Sequence, residues 1–164
     1  MKVQEAIQKR RSIRKFQEQS ISDEQLRILM EAAQLAPSAS NRQPYQFIIV
    51  KDRDLMNDLA KHGRIQKFVT KAAIIFVGIG DPEYEKWYKI DLAIAFQQIF
   101  LQAVELGLGA CWIGAFDEDM VKVVLKIPPQ FRVVALLPVG IPAQDPPARP
   151  RKSIEELFLT NYYK

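Results

Sequence analysis

Between Ile90 and Leu106 the chain is almost continuously apolar, interrupted only by Asp91, Gln97, Gln98, Gln102 and Glu105. Helical spacing extends back to about Glu83, and Gly107-Leu108-Gly109 supplies a C-terminal stop. A helix that is apolar on nearly every side must be covered on several sides. A lipid bilayer would cover it, but three glutamines and two acids within the run argue against a membrane span. The chain has 164 residues, enough for one domain with a real core and too few for two. So small a domain has little with which to surround this helix, and a helix shared between two subunits is expected.

The rest of the chain reads as short elements able to pack on that helix. Val3, Ala6 and Ile7 suggest a first short helix that ends in a basic run. Ser22 is placed to cap a second helix with Gln25 as capping-box partner, Ile21 and Leu26 as hydrophobic staple, and Leu26, Leu29, Met30 and Ala33 on one face. Pro37 stops it. The runs 45–50, 72–79, 110–113 and 133–139 are predicted strands, and helical stretches are predicted over 55–60 and 65–69. Gly80-Asp81-Pro82 is a turn, and Asp117 caps a helix through Leu125. Beyond Gly140 a proline-rich segment predicts an extended arm over about 141–164 of a single domain spanning 1–164. The order of strands and helices is compatible with a doubly wound parallel sheet as well as with an α+β sheet.

Net charge is +4, only mildly basic, and does not by itself imply nucleic acid. One cysteine, Cys111, and one histidine, His62, exclude an internal disulfide, a multi-Cys/His zinc site and any mechanism needing two histidines. Cys111 lies in an apolar strand, which suits a core thiol, and His62 is expected to be exposed. The compartment expected is the reducing cytoplasm, since the N-terminus has no apolar run of signal-peptide type.

Four places carry residues suited to binding. Arg10-Arg11-Ser12-Ile13-Arg14 offers guanidinium forks and a hydroxyl at a helix end, chemistry that fits a phosphate monoester. Arg149 and Arg151 alternate across Pro150, so in an extended arm both point to one side and could close a second flank of the same phosphate. Between Pro37 and Pro44 lies a cluster of small hydroxyls and amides, Ser38, Ser40, Asn41 and Gln43, held open by the two prolines. A strand ends at Ile113-Gly114, where a backbone N–H can approach a ligand closely. Gly78-Ile79-Gly80 is not a dinucleotide loop, because Glu83 stands at the third glycine position. No nucleophilic triad or carboxylate pair can be assembled, so an enzyme built on this chain needs a cofactor for its chemistry.

In their order, Arg10 to Phe16, Ala36-Pro37-Ser38 through Asn41, Gln43-Pro44-Tyr45-Gln46-Phe47, Leu106 to Gly114, and Arg149-Pro150-Arg151, these motifs resemble the nitroreductase family over essentially the whole chain. The resemblance implies a three-layer α+β fold with a mostly antiparallel central sheet flanked by helices. It also implies a homodimer with the long buried helix at its interface, and FMN bound there. By position, Arg10, Ser12, Arg149 and Arg151 would hold the FMN phosphate, with Arg11 also among the cofactor-binding residues and Arg14 reaching the ribityl chain or the pyrimidine edge. Pro37, Ser38, Asn41 and Gln43 would come from the partner subunit, and Ile113 and Gly114 would offer backbone N–H groups to flavin N5 and O4. The flavin itself, not a side chain, would be the catalytic group: NADH or NADPH reduces it and leaves, and a small acceptor such as a nitroaromatic or quinone is reduced in turn. Tyr45 stands where the family often has tryptophan, and the link from Gly80 to the central helix leaves only Tyr84, Trp87 and Tyr88 to roof the flavin. That short roof favours, as an alternative, a flavin-binding sensor or carrier with little turnover. A nucleic-acid-binding module is disfavoured, since aromatics are not interleaved with the basic residues, and no membrane or metal partner is expected.

Overall fold

Two strands buried on both faces organise the molecule. In the computed structural model, which describes residues 2–163, β1 (Tyr45–Val50), β2 (Ile74–Gly80), β3 (Gly109–Ala110) and β4 (Arg132–Gly140) form one sheet in the order β1-β2-β4-β3. Every pairing is antiparallel, so the fold is α+β and not doubly wound. Alternation along β2 divides the core. Ile74 and Phe76 face α2 (Asp23–Gln34) and α4 (Tyr88–Glu105), meeting Leu29, Phe96 and Ile99. Ile75, Val77 and Ile79 face α3 (Arg53–His62) and α5 (Glu118–Leu125), meeting Met56, Leu59 and Val121. The three layers follow from that period of two. The two remaining helices are α1 (Val3–Lys9) and the four-residue α6 (Ile154–Leu157).

Local chemistry sets most boundaries as expected. Ser22 and Gln25 form the reciprocal capping box of α2, and the carboxyl of Asp117 accepts the Met120 N–H at 3.2 Å. Three boundaries differ from the sequence expectation. The central helix starts at Tyr88 rather than near Glu83. Asp81 accepts the N–H groups of Glu83 and Tyr84 at 3.0 and 3.2 Å, and Glu85 accepts that of Trp87 at 3.3 Å, which satisfies residues 81–87 outside a helix. The strand expected over 110–113 shrinks to Gly109–Ala110, with Ile113 rejoining β4 opposite Leu136. The Cys111 backbone N–H donates to the Pro138 carbonyl at 3.3 Å, but Pro138 has no N–H to return. The stretch expected to be helical over 65–69 is instead a 3₁₀ turn, Lys67–Lys71.

Within one chain α4 is only partly covered. Leu92, Ala95, Phe96, Ile99, Phe100 and Ala103 are buried, while Trp87, Ile90 and Ile94 remain 46%, 54% and 37% exposed. Gly107 ends the helix at φ +70°, the left-handed conformation a C-terminal stop needs. Among the described residues no helix is long and apolar enough to cross a membrane.

Candidate active site

The basic run leaving α1 lies beside β3 instead of trailing into solvent. Ser12 bridges in parallel to Ala110, and Ile13 donates to the Ala110 carbonyl at 2.8 Å. After β4 the chain turns back along the same run: Gln17 donates to the Ile141 carbonyl and Ala143 to the Lys15 carbonyl, both at 2.9 Å. This double tether carries Arg149 and Arg151 back to the end of α1. Arg10, Arg11, Ser12, Arg14, Arg149 and Arg151 line one cavity of about 590 Å³, and among the described residues no aspartate or glutamate lines it.

Charge is crowded there. The Arg10 guanidinium sits 5.1 Å from the Phe100 ring centroid, and its pKa is lowered, first by burial and then by the neighbouring charges of Arg151 and Arg11. Arg11 is partly engaged, donating to the carbonyls of Gln8 at 2.6 Å and Arg10 at 2.9 Å at the end of its own helix. The Cys111 thiol is pushed up by burial, against the lowering effects of Arg14, a hydrogen bond with Ser12, and Arg10. A buried thiol of raised pKa is a poor nucleophile. Several guanidiniums and a hydroxyl converging with no acid among them form a donor set that fits a phosphate dianion.

The other expected residues fall elsewhere in the single chain. The Pro37–Gln43 loop does not line the arginine cavity. Pro37 and Ser38 border a separate hollow of about 260 Å³ with Trp87, Ile90, Asp91 and Ile94. Asn41 and Gln43 are exposed and bonded to each other, the Gln43 amide donating to Asn41 O at 3.0 Å. Ser40, Asn41 and Gln43 all have positive φ, at 50°, 54° and 50°. Positive φ at three non-glycine residues so close together is backbone strain of the kind found at binding sites.

Ile113 departs from its expected role. Its N–H donates to the Leu136 carbonyl at 2.9 Å and is therefore spent on the sheet. Gly114 is exposed, and its N–H has no partner among the described residues. Tyr88 is not a roof residue either: it is buried, with its ring against Gly80 where any Cβ would collide. Tyr84 and Trp87 stay exposed. The sequence reading missed Phe100, which lies under Arg10, and two buried acids, Asp91 and Glu85. Asp91 accepts the Ala39 N–H with both oxygens at 3.2 Å, and Glu85 pairs with Arg42. Both acids bind the same loop, and Asp91 had one visible signal, an acid inside an apolar helix.

Fold and site together define an α+β protein with an antiparallel sheet and an arginine-lined cavity beside its central helix. Residues 7–73 and 61–141 match the Nitroreductase family. The chain belongs to the nitroreductase family and is an oxidoreductase of that family. A nitroreductase family protein of Clostridium novyi NT, known from a crystal structure, superposes with a TM-score of 0.81 at 37% identity, over 87% of this chain and 86% of that one. An FMN-dependent nitroreductase of Clostridium difficile R20291 superposes at 0.88 with 28% identity, over 96% and 98%. A Methanothermobacter thermautotrophicus protein with the provisional name NADH dehydrogenase/NAD(P)H nitroreductase is 34% identical over 157 residues, 91% of this chain and 82% of that protein.

Proposed function

We propose that this chain is an FMN-dependent oxidoreductase, working as a homodimer, that passes reducing equivalents from NADH or NADPH to a small acceptor such as a nitroaromatic or quinone. The observation that carries the reading is the acid-free cavity lined by Arg10, Arg11, Ser12, Arg14, Arg149 and Arg151, whose donor set fits the FMN phosphate. FMN, when bound, supplies hydride chemistry that no side chain of this protein can. Arg10, Ser12, Arg149 and Arg151 would hold its phosphate, Arg14 would contact its sugar-like chain or ring edge, and the Gly114 N–H would be placed to donate to the ring. The relative named an FMN-dependent nitroreductase supports the cofactor, and so does a Bacillus subtilis FMN reductase (NADPH) 29% identical to this chain. The uncovered face of α4 supports a second copy, which would bring the partner's Pro37, Ser38, Asn41 and Gln43 to the site. The protein should purify yellow and release FMN on denaturation; reduction by each nicotinamide under anaerobic conditions, followed by a panel of acceptors, tests the reaction. A colourless protein that does not take up FMN refutes it.

The short 81–87 link and the burial of Tyr88 favour a second reading, a flavin carrier with slow turnover. Steady-state NAD(P)H oxidation with a quinone separates the two, since the enzyme sustains turnover and the carrier stops after one reduction.

A further inference from the structure

The Pro37–Gln43 loop cannot hold its shape by its own sequence. Left-handed backbone at Ser40, Asn41 and Gln43 is strained and persists only where surrounding structure over-determines it. One restraint is local, the Gln43 N–H donating to Ser38 Oγ at 3.0 Å. The others come from around the start of the central helix. Asp91, only 4% exposed, accepts the Ala39 N–H with both carboxyl oxygens at 3.2 Å. Glu85, 6% exposed, is ion-paired with Arg42, which holds its carboxyl below the usual carboxylate range. The charge of Asp91 also reaches the buried Tyr45 hydroxyl, which makes no hydrogen bond: the phenol is pushed up by burial first and then by Asp91.

We propose that Asp91 is a positioning residue, fixing from the central helix the strained loop that its subunit lends to the partner's cofactor. This rests on the flavin reading of the site given above. An acid inside an otherwise apolar helix is costly to bury, and Asp91 accepts the first N–H of the loop's 3₁₀ turn. Removing the carboxyl leaves that N–H unpaired and frees the loop to relax. The positive-φ residues then leave the conformation that presents Asn41 and Gln43.

Full-length Asp91→Ala, Asp91→Asn and Ala39→Pro proteins test this by two readouts. Proline fits position 39, because Ser38 before it is extended and position 39 opens the turn, and it deletes only the donor. The first readout is amide exchange across 39–43 in protein stripped of FMN, which should quicken about tenfold or more in Asp91→Ala. The second is titration with FMN well below the melting temperature, where Kd should rise about tenfold or more in Asp91→Ala and in Ala39→Pro. Asp91→Asn should recover most of the affinity, since the amide oxygen still accepts from Ala39. A merely structural role would lower the melting temperature without moving Kd, and would give no recovery by asparagine.

Unchanged exchange in Asp91→Ala overturns the anchoring. Faster exchange with an FMN affinity equal to wild type overturns the positioning role. Wild-type protein that binds no FMN removes the flavin reading and the positioning role with it, while the exchange result still decides the anchor. Should Asp91→Ala not fold, Ala39→Pro decides by its FMN affinity, and a Kd equal to wild type rejects the proposal.

Discussion

Arg10 lies half-buried against the Phe100 ring with Arg151 and Arg11 close by, and none of the side chains lining its cavity carries negative charge. Repulsion of this kind is tolerated when an anion completes the site, and the arginine closest to the core should then matter most. Arg10→Ala should weaken FMN binding by about 1.5–3 kcal/mol, the usual worth of a hydrogen bond to a charged group. Fluorescence titration of the apoprotein gives that number directly, and an unchanged Kd would remove Arg10 from the site. Higher salt should narrow the difference, because part of the lost attraction is screened. Cys111 needs no such role. Its thiol is buried in the layer behind the arginines, and burial keeps it protonated.

Helix α5 is joined to β4 by one carboxylate, so their docking should depend on pH. Glu118 accepts the Val133 N–H at 3.0 Å, Arg132 Nη2 at 2.7 Å and Lys122 Nζ at 3.2 Å. Burial pushes this carboxyl up, but the three donors outweigh it and its pKa lies below the ordinary value. A depressed folded-state pKa gives stability that is fully present above the unfolded value and is lost as pH falls through the folded one. Glu118→Gln should therefore cost about 1–2 kcal/mol at pH 7, and its gap from wild type should narrow as pH falls below the ordinary glutamate value of about 4.3 and on through the depressed folded-state one. Urea melts of both proteins across that range measure it, and a gap independent of pH would show that Glu118 acts only by its shape. Elements like this one were legible where their signals are local. Ser22 with Gln25, and Asp117 with its own first turn, lie within three or four positions of what they bond. The start of α4 falls later than its apolar spacing suggests because the Trp87 N–H, which a helix begun at Glu83 would have bonded to the Glu83 carbonyl, is taken by the Glu85 carboxylate. The third strand was overextended because the reason it stops, Pro138, lies on another strand. In the site, Arg10 to Arg14 and Arg149-Pro150-Arg151 announce themselves by type and spacing. Asp91 does not announce its target, since Ala39 is 52 positions away.

A subunit of this size leaves its most apolar helix partly bare, and that fact joins fold to function. Trp87, Ile90 and Ile94 follow one another along one side of α4 and border the hollow that Pro37 and Ser38 share. Phe158, Tyr162 and Tyr163 at the far end of the chain are also exposed. Each large apolar side chain gains about 1.5–3 kcal/mol on full burial, so a second copy covering this face has ample driving force. The face also lies next to the loop assigned to the partner's flavin, so association and cofactor binding should fail together. Ile90→Asp is the discriminating change. Residue 90 is third in the helix, where an acid is favoured by the helix dipole, and at 54% exposure the isoleucine contributes little to the fold of one subunit. Sedimentation at micromolar concentration should show wild type as a dimer and Ile90→Asp as a folded monomer, and the monomer should lose FMN. A monomer that binds FMN as tightly as wild type would place the whole flavin site within one chain, and a variant that remains dimeric would place the interface on another face. Either result would separate two properties that the bare face of α4 and the neighbouring loop tie together.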